Sequence, residues 1–597
     1  MGSRIGPNQP YFGLKGGWLT FWISVACATD MTLFGYDQGV FGGVIVTPDF
    51  LKVHNLGGDS KTSLLGLYSS LENVLRLTPS PGTVTAIYDI GCFFGAVIAV
   101  GLGEKLGRRR SVLVGTTVMS IGAILQIASF STAQMIVGRI VAGIGNGINT
   151  ATAPVWQTET SAIKWRGKLV VIELILNIAG FSLSNWVTYG FSFLSGGIAW
   201  RLPLAFQFLF IVILFSTVPW LPESPRWLIA HDYEDEAFKI LADLENKTED
   251  DPFILAQHKE IVYTVQYERE NAVPWSKLLR GKTGDKGGTK TIRRLLLGAG
   301  TQAMQQLAGI NVTSYYLPTV LIKSVGLGEK MARLLAACNS VSYLLFSLIG
   351  IPNVERWGRR NMMIFAASGQ CFCYFIITVL LRFNEKPGYP HAHEVASASV
   401  GFFFLYYVFF GIGMQGVPWC KGKLYPTEIN SLAMRTKGAA VGTATNWIFN
   451  FMVVEITPIG IQSLAWKFYI IWTVLNASFV PILYFIYPET ADRSLEDIDE
   501  YYRTNPPLLV FRDKDVTSSK RPEKYRIREE EEVRRASSAD PVAFRRSSKM
   551  AGMSESGAAM ARHMHLAAAR HRGQGDYEGK TEQGDIGQER VMHKEDV

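Results

Sequence analysis

Apolar runs of about 20 residues follow one another along most of this chain, the length needed to cross a ~30 Å hydrocarbon core. They lie near 18–42, 83–103, 111–131, 134–155, 168–190 and 200–220, then 292–317, 333–354, 361–382, 398–418, 437–456 and 466–487. That is six runs, a long polar segment, and six more. The expected fold class is an all-α membrane protein with twelve transmembrane helices, here called spans 1 to 12. The expected organisation is a tail at 1–17, six spans at 18–220, a linker with short helices at 221–291, six spans at 292–490 and a disordered tail at 491–597. The whole chain is only 48% hydrophobic with a mean hydropathy of +0.13, but the polar C-terminal stretch dilutes that average. A soluble chain of 597 residues would instead divide into several domains with charged surfaces.

Basic residues set the expected orientation. The loops after spans 2, 4, 8 and 10 carry Lys105, Arg108, Arg109, Arg110, Lys164, Arg166, Arg356, Arg359, Arg360, Arg435 and Lys437, and those after spans 3, 9 and 11 carry almost none. The positive-inside rule puts these basic loops, the linker and both termini in the cytoplasm. The net charge of +8 then reflects topology, not a nucleic-acid surface. The six cysteines fall in or beside spans, without metal-site or disulfide spacing. No cleavable signal peptide is evident, because the first run is too long. The sequon at Asn246 would face the cytoplasm and the one at Asn311 lies within a span, so neither should be glycosylated. The tail from 491 is charged and poor in aromatics, which predicts disorder. Its "RRAS" and "RRSS" serines suit phosphorylation, and its basic residues equally suit an anionic membrane face.

One charged phrase occurs twice. "GEKLGRRR" at 103–110 follows span 2, and "VERWGRRN" at 354–361 follows span 8. Glu159 precedes Arg166 by seven residues after span 4, and Glu428 precedes Arg435 by seven after span 10. "PESPRWL" at 222–228 follows span 6, and "PETADRSLED" at 488–497 follows span 12. Three paired landmarks in the same order indicate two related halves. Topology alone needs neither the acids nor the glycine. We therefore read Glu104, Arg108, Arg109, Glu159, Arg166, Glu223, Arg226, Glu355, Arg359, Arg360, Glu428, Arg435 and Glu489 as a cytoplasmic gate whose charges pair across neighbouring helices.

Together with "QQLAGIN", "VPW", "NW" and "PET", these phrases resemble the sugar porters of the major facilitator superfamily over about 18–495. "GYDQGV", "TAIYDIGCFFGA" and "TATNWIFNF" are most similar to fungal members, including sugar– and glycerol–proton symporters. The resemblance implies two pseudo-symmetric six-helix bundles, alternating access and a midplane substrate site. It also implies a plasma-membrane, multi-pass carrier, expected to act as a monomer, with no cofactor, metal or catalytic residue. No nucleophile–base set, metal cluster or phosphate loop appears, so an enzyme is not expected.

Span 7 carries Gln305, Gln306 and Asn311, followed by Tyr315 and Tyr316. Amides offer both donors and acceptors, which suits sugar hydroxyls. Gly309 permits close approach or local unwinding there. Interhelical amide glue is the plainer account, but three amides within two turns are dense for that. The resemblance extends the substrate set to Trp419, which would stack on the sugar ring, and to Asn446 and Asn450. Three departures stand out. Leu174, flanked by Glu173 and Asn177, occupies the place of a family glutamine in span 5, which leaves a smaller polyol such as glycerol open. Residues 67–82 interrupt the approach to span 2, and Cys420–Lys423 add two lysines beside Trp419, where burial would cost several kcal/mol. One or both inserts are read as retained intron sequence, which transcript sequencing tests.

Acids within spans are functional suspects, and the candidates are Asp30, Asp37, Asp89 and Glu173. Asp37 matches the acid of proton symporters and Arg139 the arginine that pairs with it. Burial favours the protonated acid and the arginine favours the charged one, so the pair could load and release a proton. The plainer account is a permanent structural ion pair. The expected function is proton-coupled uptake of a monosaccharide or polyol. The alternatives are an uncoupled uniporter and a non-transporting sugar sensor.

Overall fold

The computed structural model describes residues 11–56, 81–161, 163–271, 273–280, 290–419, 425–431, 434–528 and 531, with backbone alone at 81, 163–168, 279, 351–352, 355, 418–419 and 495–496. The side chains of Arg166, Glu355 and Trp419 and the insert 420–423 lie outside the described residues, as does most of the insert at 67–82. Among the described residues the structure is helical, without strands.

Span 1 is Gly17–Val44, span 2 Pro81–Leu106, span 3 Arg108–Ile127, span 4 Thr132–Thr160 and span 5 Ile163–Phe191. Span 6 runs as Ile198–Ala205 and Phe208–Thr217. Span 7 is broken into Thr291–Leu307, Ile310–Ser314 and Leu317–Val320. Spans 8 and 9 are Glu329–Trp357 and Arg359–Asn384. Span 10 runs from Ala392–Phe409 through a π-helical turn, Phe410–Met414, into Gly416–Trp419. Spans 11 and 12 are Arg435–Leu464 and Phe468–Ile486.

Eight helical stretches among the described residues are long and apolar enough to cross a membrane, and one of them, Arg435–Ile486, holds both spans 11 and 12. Spans 1, 4 and 7 stand outside that set. They are the spans that bury Asp30 and Asp37, then Arg139, Asn146, Asn149 and Gln157, then Gln302, Gln305, Gln306 and Asn311. Polar residues buried in a bilayer protein face the protein interior.

The two halves repeat one packing order. Spans 1 and 5, 2 and 4, and 3 and 4 pair in the first half, and spans 7 and 11, 8 and 10, and 9 and 10 pair in the second. Spans 2 and 11, and spans 5 and 8, join the halves. Close approach between spans 2 and 4 rests on two glycine pairs. A Cβ on Gly95 would lie 2.2 Å from the Ile144 carbonyl, and one on Gly147 2.2 Å from the Cys92 carbonyl. Without a hydrophobic drive between helices in lipid, this backbone contact is what holds them. Trp447 of span 11 packs with Tyr88, Cys92, Ala96 and Ala142 and meets Phe34 edge-on at 5.7 Å, sealing one half against the other.

The polar segment after span 12, whose composition predicts disorder with a helical stretch, is described over 491–528. Helix Leu495–Arg503 begins with a capping box between Ser494 and Asp497. Arg293, at the start of span 7, donates to the carbonyls of Pro506 and Pro507 at 2.9 and 2.8 Å, and Arg294 pairs with Asp499 at 2.5 Å. Contact grouping separates a second unit, 247–264 with 521–597, from the rest, which contains all twelve spans.

Candidate functional site

Span 7 breaks where the sequence marks it. Gly309 adopts φ +88°, a left-handed conformation that ends Thr291–Leu307 and restarts the helix at Ile310. The Tyr374 hydroxyl donates to the Gly309 carbonyl at 2.8 Å, so the freed backbone group keeps a partner inside the bundle. The break brings the amides of span 7 against those of span 11. Asn446 Nδ2 donates to Gln302 Oε1 at 2.8 Å and Gln305 Oε1 at 3.2 Å. Gln305 Nε2 reaches the Met414 carbonyl in the π turn of span 10 at 3.3 Å. Asn311 Nδ2 donates to Gln306 Oε1 and to Asn450 Oδ1, both at 2.6 Å. Asn450 Nδ2 then donates to Asp89 Oδ1 of span 2 at 3.2 Å.

Two hydrogen-bonded amide groups therefore lie side by side on spans 7 and 11: Gln302 and Gln305 with Asn446, and Gln306 with Asn311, Asn450 and Asp89, with Tyr315 beside Asp89 and Gln38. The sequence reading passed over Gln302, although it lies one turn before Gln305 and Gln306 on the same polar face. Asn177 stands elsewhere, donating to the Met31 carbonyl at 3.3 Å between spans 5 and 1. Glu455, an acid of span 11 that the sequence reading also missed, accepts from Thr83 Oγ1 of span 2 at 2.9 Å.

Asp37 and Arg139 meet in the first half, both fully buried, with Nη1 3.9 Å from Oδ1. The pair lies beyond hydrogen-bond length, and the Tyr88 hydroxyl also faces the Asp37 carboxylate. The guanidinium lies 4.1 Å from the Phe41 ring centre and 4.2 Å from that of Tyr88, and donates to the Thr85 carbonyl at 3.2 Å. Arg139 acts electrostatically on Asp89 as well as on Asp37. Asp89 is thus the residue between the amide patch and the ion pair.

The repeated phrases build two matching clusters. In the first half, Arg108 Nε and Nη2 grip Glu159 at 2.9 and 3.1 Å, and Ser224 Oγ donates to Glu159 Oε2 at 2.6 Å. Glu223 Oε1 accepts from the backbone N–H of Arg108 at 2.7 Å and of Arg109 at 3.2 Å. In the second half, Arg359 Nη2 reaches Glu428 Oε1 at 3.1 Å and Thr490 Oγ1 donates to Glu428 Oε2 at 2.6 Å. Glu489 accepts from the N–H groups of Arg359 and Arg360 at 2.8 and 3.1 Å. Arg109 and Arg360 each donate onward to a carbonyl at the end of the sixth span of their half, Leu221 and Tyr484.

Burial, outweighing those backbone N–H donors, holds the carboxyls of Glu223 and Glu489 above the usual range. Glu159 is the acid on which Arg108, Arg226 and the Ser224 hydroxyl converge. Arg226 itself pairs with Glu268 of the linker at 2.7 Å. Glu104 is exposed, and its carbonyl rather than its carboxylate joins the cluster, accepting from Trp227 Nε1 at 2.8 Å. Arg435 opens span 11. The partners named here for Arg108 and Glu159 come from the first six spans and the linker, and those for Arg359 and Glu428 from the last six spans and the segment just after them. The charges named here pair across neighbouring helices on their own side of the duplication. The halves also meet at the amide groups and toward the opposite face. Ser340 Oγ donates to Ser182 Oγ at 3.0 Å, a Cβ on Gly42 would stand 2.5 Å from the Tyr315 carbonyl, and Arg333 Nη2 donates to Thr47 Oγ1 at 3.2 Å.

The family model described as "Sugar (and other) transporter" matches residues 22–502. The chain is 62% identical to the MFS-type transporter oryC of Aspergillus oryzae, over 89% of this chain and 94% of the relative. It is 31% identical to the sugar transporter STL1 of Saccharomyces cerevisiae, over 82% of each. Among solved structures, the inward-open xylose transporter XylE from E. coli is similar in fold, with a TM-score of 0.62, 21% identity, and coverage of 81% of this chain and 99% of that one. These relatives and neighbours are transporters, not enzymes.

Proposed function

Because the chain belongs to the sugar (and other) transporter family of the major facilitator superfamily, and so is a multi-pass membrane transporter, we propose that it takes up a monosaccharide or polyol together with protons. The observation that carries this reading is the amide chain from Gln306 through Asn311 and Asn450 to Asp89, beside Asp37 and Arg139, with a second amide group at Gln302, Gln305 and Asn446 next to it. Amides bonded to one another hold donors and acceptors in pairs that sugar hydroxyls can replace one for one. Trp419, at the end of the last helical piece of span 10, adds an aromatic face on the family pattern.

Coupling follows from shared partners. Asn450 serves both Asn311 and Asp89, so a hydroxyl that engages Asn311 and Asn450 changes what Asp89 accepts. Arg139 serves both Asp89 and Asp37. A proton on Asp37 removes the charge that holds Arg139, and substrate on Asn450 alters the competing acid. The basic loops put the two charge clusters and both termini in the cytoplasm, at the plasma membrane on the family pattern. The contacts across the halves then close the outer side, and the arrangement faces inward. The clusters keep each half rigid while the halves rock about the site.

The test is radiolabelled uptake of glucose, xylose and glycerol in a transporter-deficient yeast, at acidic and neutral pH, with and without a protonophore. Accumulation above equilibrium that collapses with the protonophore and with Asp37→Asn is the expected result. Protonophore-insensitive equilibration that survives Asp37→Asn overturns symport in favour of a uniporter. Asn450→Ala is expected to lower uptake about tenfold, the worth of one buried hydrogen bond at ~1.4 kcal/mol.

A further inference from the structure

The four buried acids of the first six spans divide into two sets. Asp37 and Asp89 share Arg139. Among the described residues, Asp30 of span 1 and Glu173 of span 5 have no such cation. Each is 2% exposed. Asp30 lies seven residues before Asp37, on the same side of span 1 and about 10 Å nearer the charge clusters. Its Oδ1 accepts from Asn149 Nδ2 at 2.7 Å, and the same amide nitrogen reaches Thr116 Oγ1 at 3.1 Å. Its other oxygen, and both oxygens of Glu173, have no hydrogen-bond partner.

Among the described residues no counter-charge faces the pair. Spans 1 and 5 touch beside it, where Asn177, one turn after Glu173, donates to the carbonyl of Met31, the residue after Asp30, and Asp30 is the charged group acting on Glu173. Span 4 contributes Asn149 and span 3 contributes Thr116, both neutral. An ionised carboxylate with no donor in a low-dielectric interior costs several kcal/mol, and two beside each other repel. An acid pair built this way holds a proton. Polar contacts continue from it toward the charge clusters: Gln157 Nε2 donates to Ser24 Oγ at 3.0 Å and to Ser161 Oγ at 2.9 Å, at the end of span 4.

We propose that Asp30 and Glu173 form a second proton-binding site, through which a proton leaving Asp37 passes toward the face that carries the charge clusters. The O–H bond at Asp37 breaks and one forms on the Asp30–Glu173 pair, with water relaying the proton across the two helical turns between them. The pair then gives its proton to water near Gln157 and Ser161. This route rests on the symport reading, but the site's occupancy does not.

Infrared difference spectroscopy of the purified full chain in lipid nanodiscs, stepped between acidic and alkaline buffer, reads protonated carboxyl groups directly. Wild type is expected to show a carboxyl C=O band that Glu173→Gln or Asp30→Asn removes and Asp37→Asn leaves in place. If Glu173→Gln does not fold, Asp30→Asn gives the same readout, since an asparagine there still accepts from Asn149. A band unchanged by both variants overturns the site. Stabilisation of wild type by sodium, lost in the variants and with no such band, also overturns it, in favour of a metal cation. In uptake assays the same variants are expected to bring the accumulation ratio down toward one. A wild type that never accumulates above equilibrium sinks the symport reading and the proton route, while the infrared band still decides the site.

Discussion

The two charge clusters use the same residue types for the same tasks and differ in how deeply they are set. Each begins with a glycine in a backbone conformation that other residues avoid: Gly107 at φ +87°, ψ 178° and Gly358 at φ +86°, ψ 156°. Each glycine lets the next two backbone N–H groups close on one carboxylate, Glu223 or Glu489. Each following arginine then grips a second acid that also takes a hydroxyl, from Ser224 on Glu159 Oε2, which Arg108 Nε holds too, and from Thr490 on Glu428 Oε2. The ion pair of the first half is 20% and 11% exposed at its two side chains, and that of the second half 8% and 6%. The first is covered by the linker helices, the second by the segment after span 12, where Glu489 N–H bonds the Val516 carbonyl at 2.9 Å. One bracket has thus been kept twice under two different roofs, so chemistry, not context, fixes its residues.

The largest test of this equivalence is the glycine. A Cβ on Gly107 would stand 2.4 Å from Glu223 Oε2, and one on Gly358 2.3 Å from Glu489 Oε2. Backbone strain and the displaced carboxylate together should cost about 3 kcal/mol in Gly107→Ala and in Gly358→Ala. Thermal unfolding in detergent is expected to fall by similar amounts in both. A large loss at one position alone would break the comparison.

The ion pairs should separate the two halves. Glu428→Gln removes the carboxylate that the buried Arg359 side chain grips, at an expected cost of about 3 kcal/mol. Glu159→Gln should cost less, because its pair is nearer water. The roofs should differ in the same direction by smaller amounts. Asp499→Asn, which faces a 1% exposed Arg294, is expected to lower the melting temperature more than Arg226→Ala, whose pair with Glu268 is 31% and 23% exposed and is worth less than about 1 kcal/mol.

The same contrast explains what was legible in the sequence. The clusters could be read because their residues are neighbours in short phrases, and the phrase occurs twice. The spans could be read because apolar length is local. The amide patch was half legible: Gln305, Gln306 and Asn311 share one stretch of span 7, but Gln302 has meaning only once Asn446 of span 11 meets it. Nothing local separates Asp89 from Glu173, since one faces Asn450 and Arg139 and the other faces Asp30, and these partners lie far away in the chain. The segment at 491–520 has the composition of a disordered tail, and only its helical stretch was legible there. It is held through backbone groups, by Arg293 on three successive carbonyls and by the Val510 N–H on the Phe485 carbonyl at 2.7 Å. Composition does not register such bonds.

The smallest expected effect concerns pH, and it compares the matching acids of the two clusters. Burial holds Glu223 and Glu489 above the usual carboxylate range. The fold therefore favours their protonated forms. That contribution is complete below the unfolded value of about 4.3 and is lost as pH rises through the folded value. Melting temperature against pH should then show Glu223→Gln and Glu489→Gln removing part of the decline toward neutral pH. If Glu223→Gln and Glu489→Gln moved the curve in opposite directions, the two carboxylates would not be doing the same task, and the duplication would be one of sequence without being one of physics.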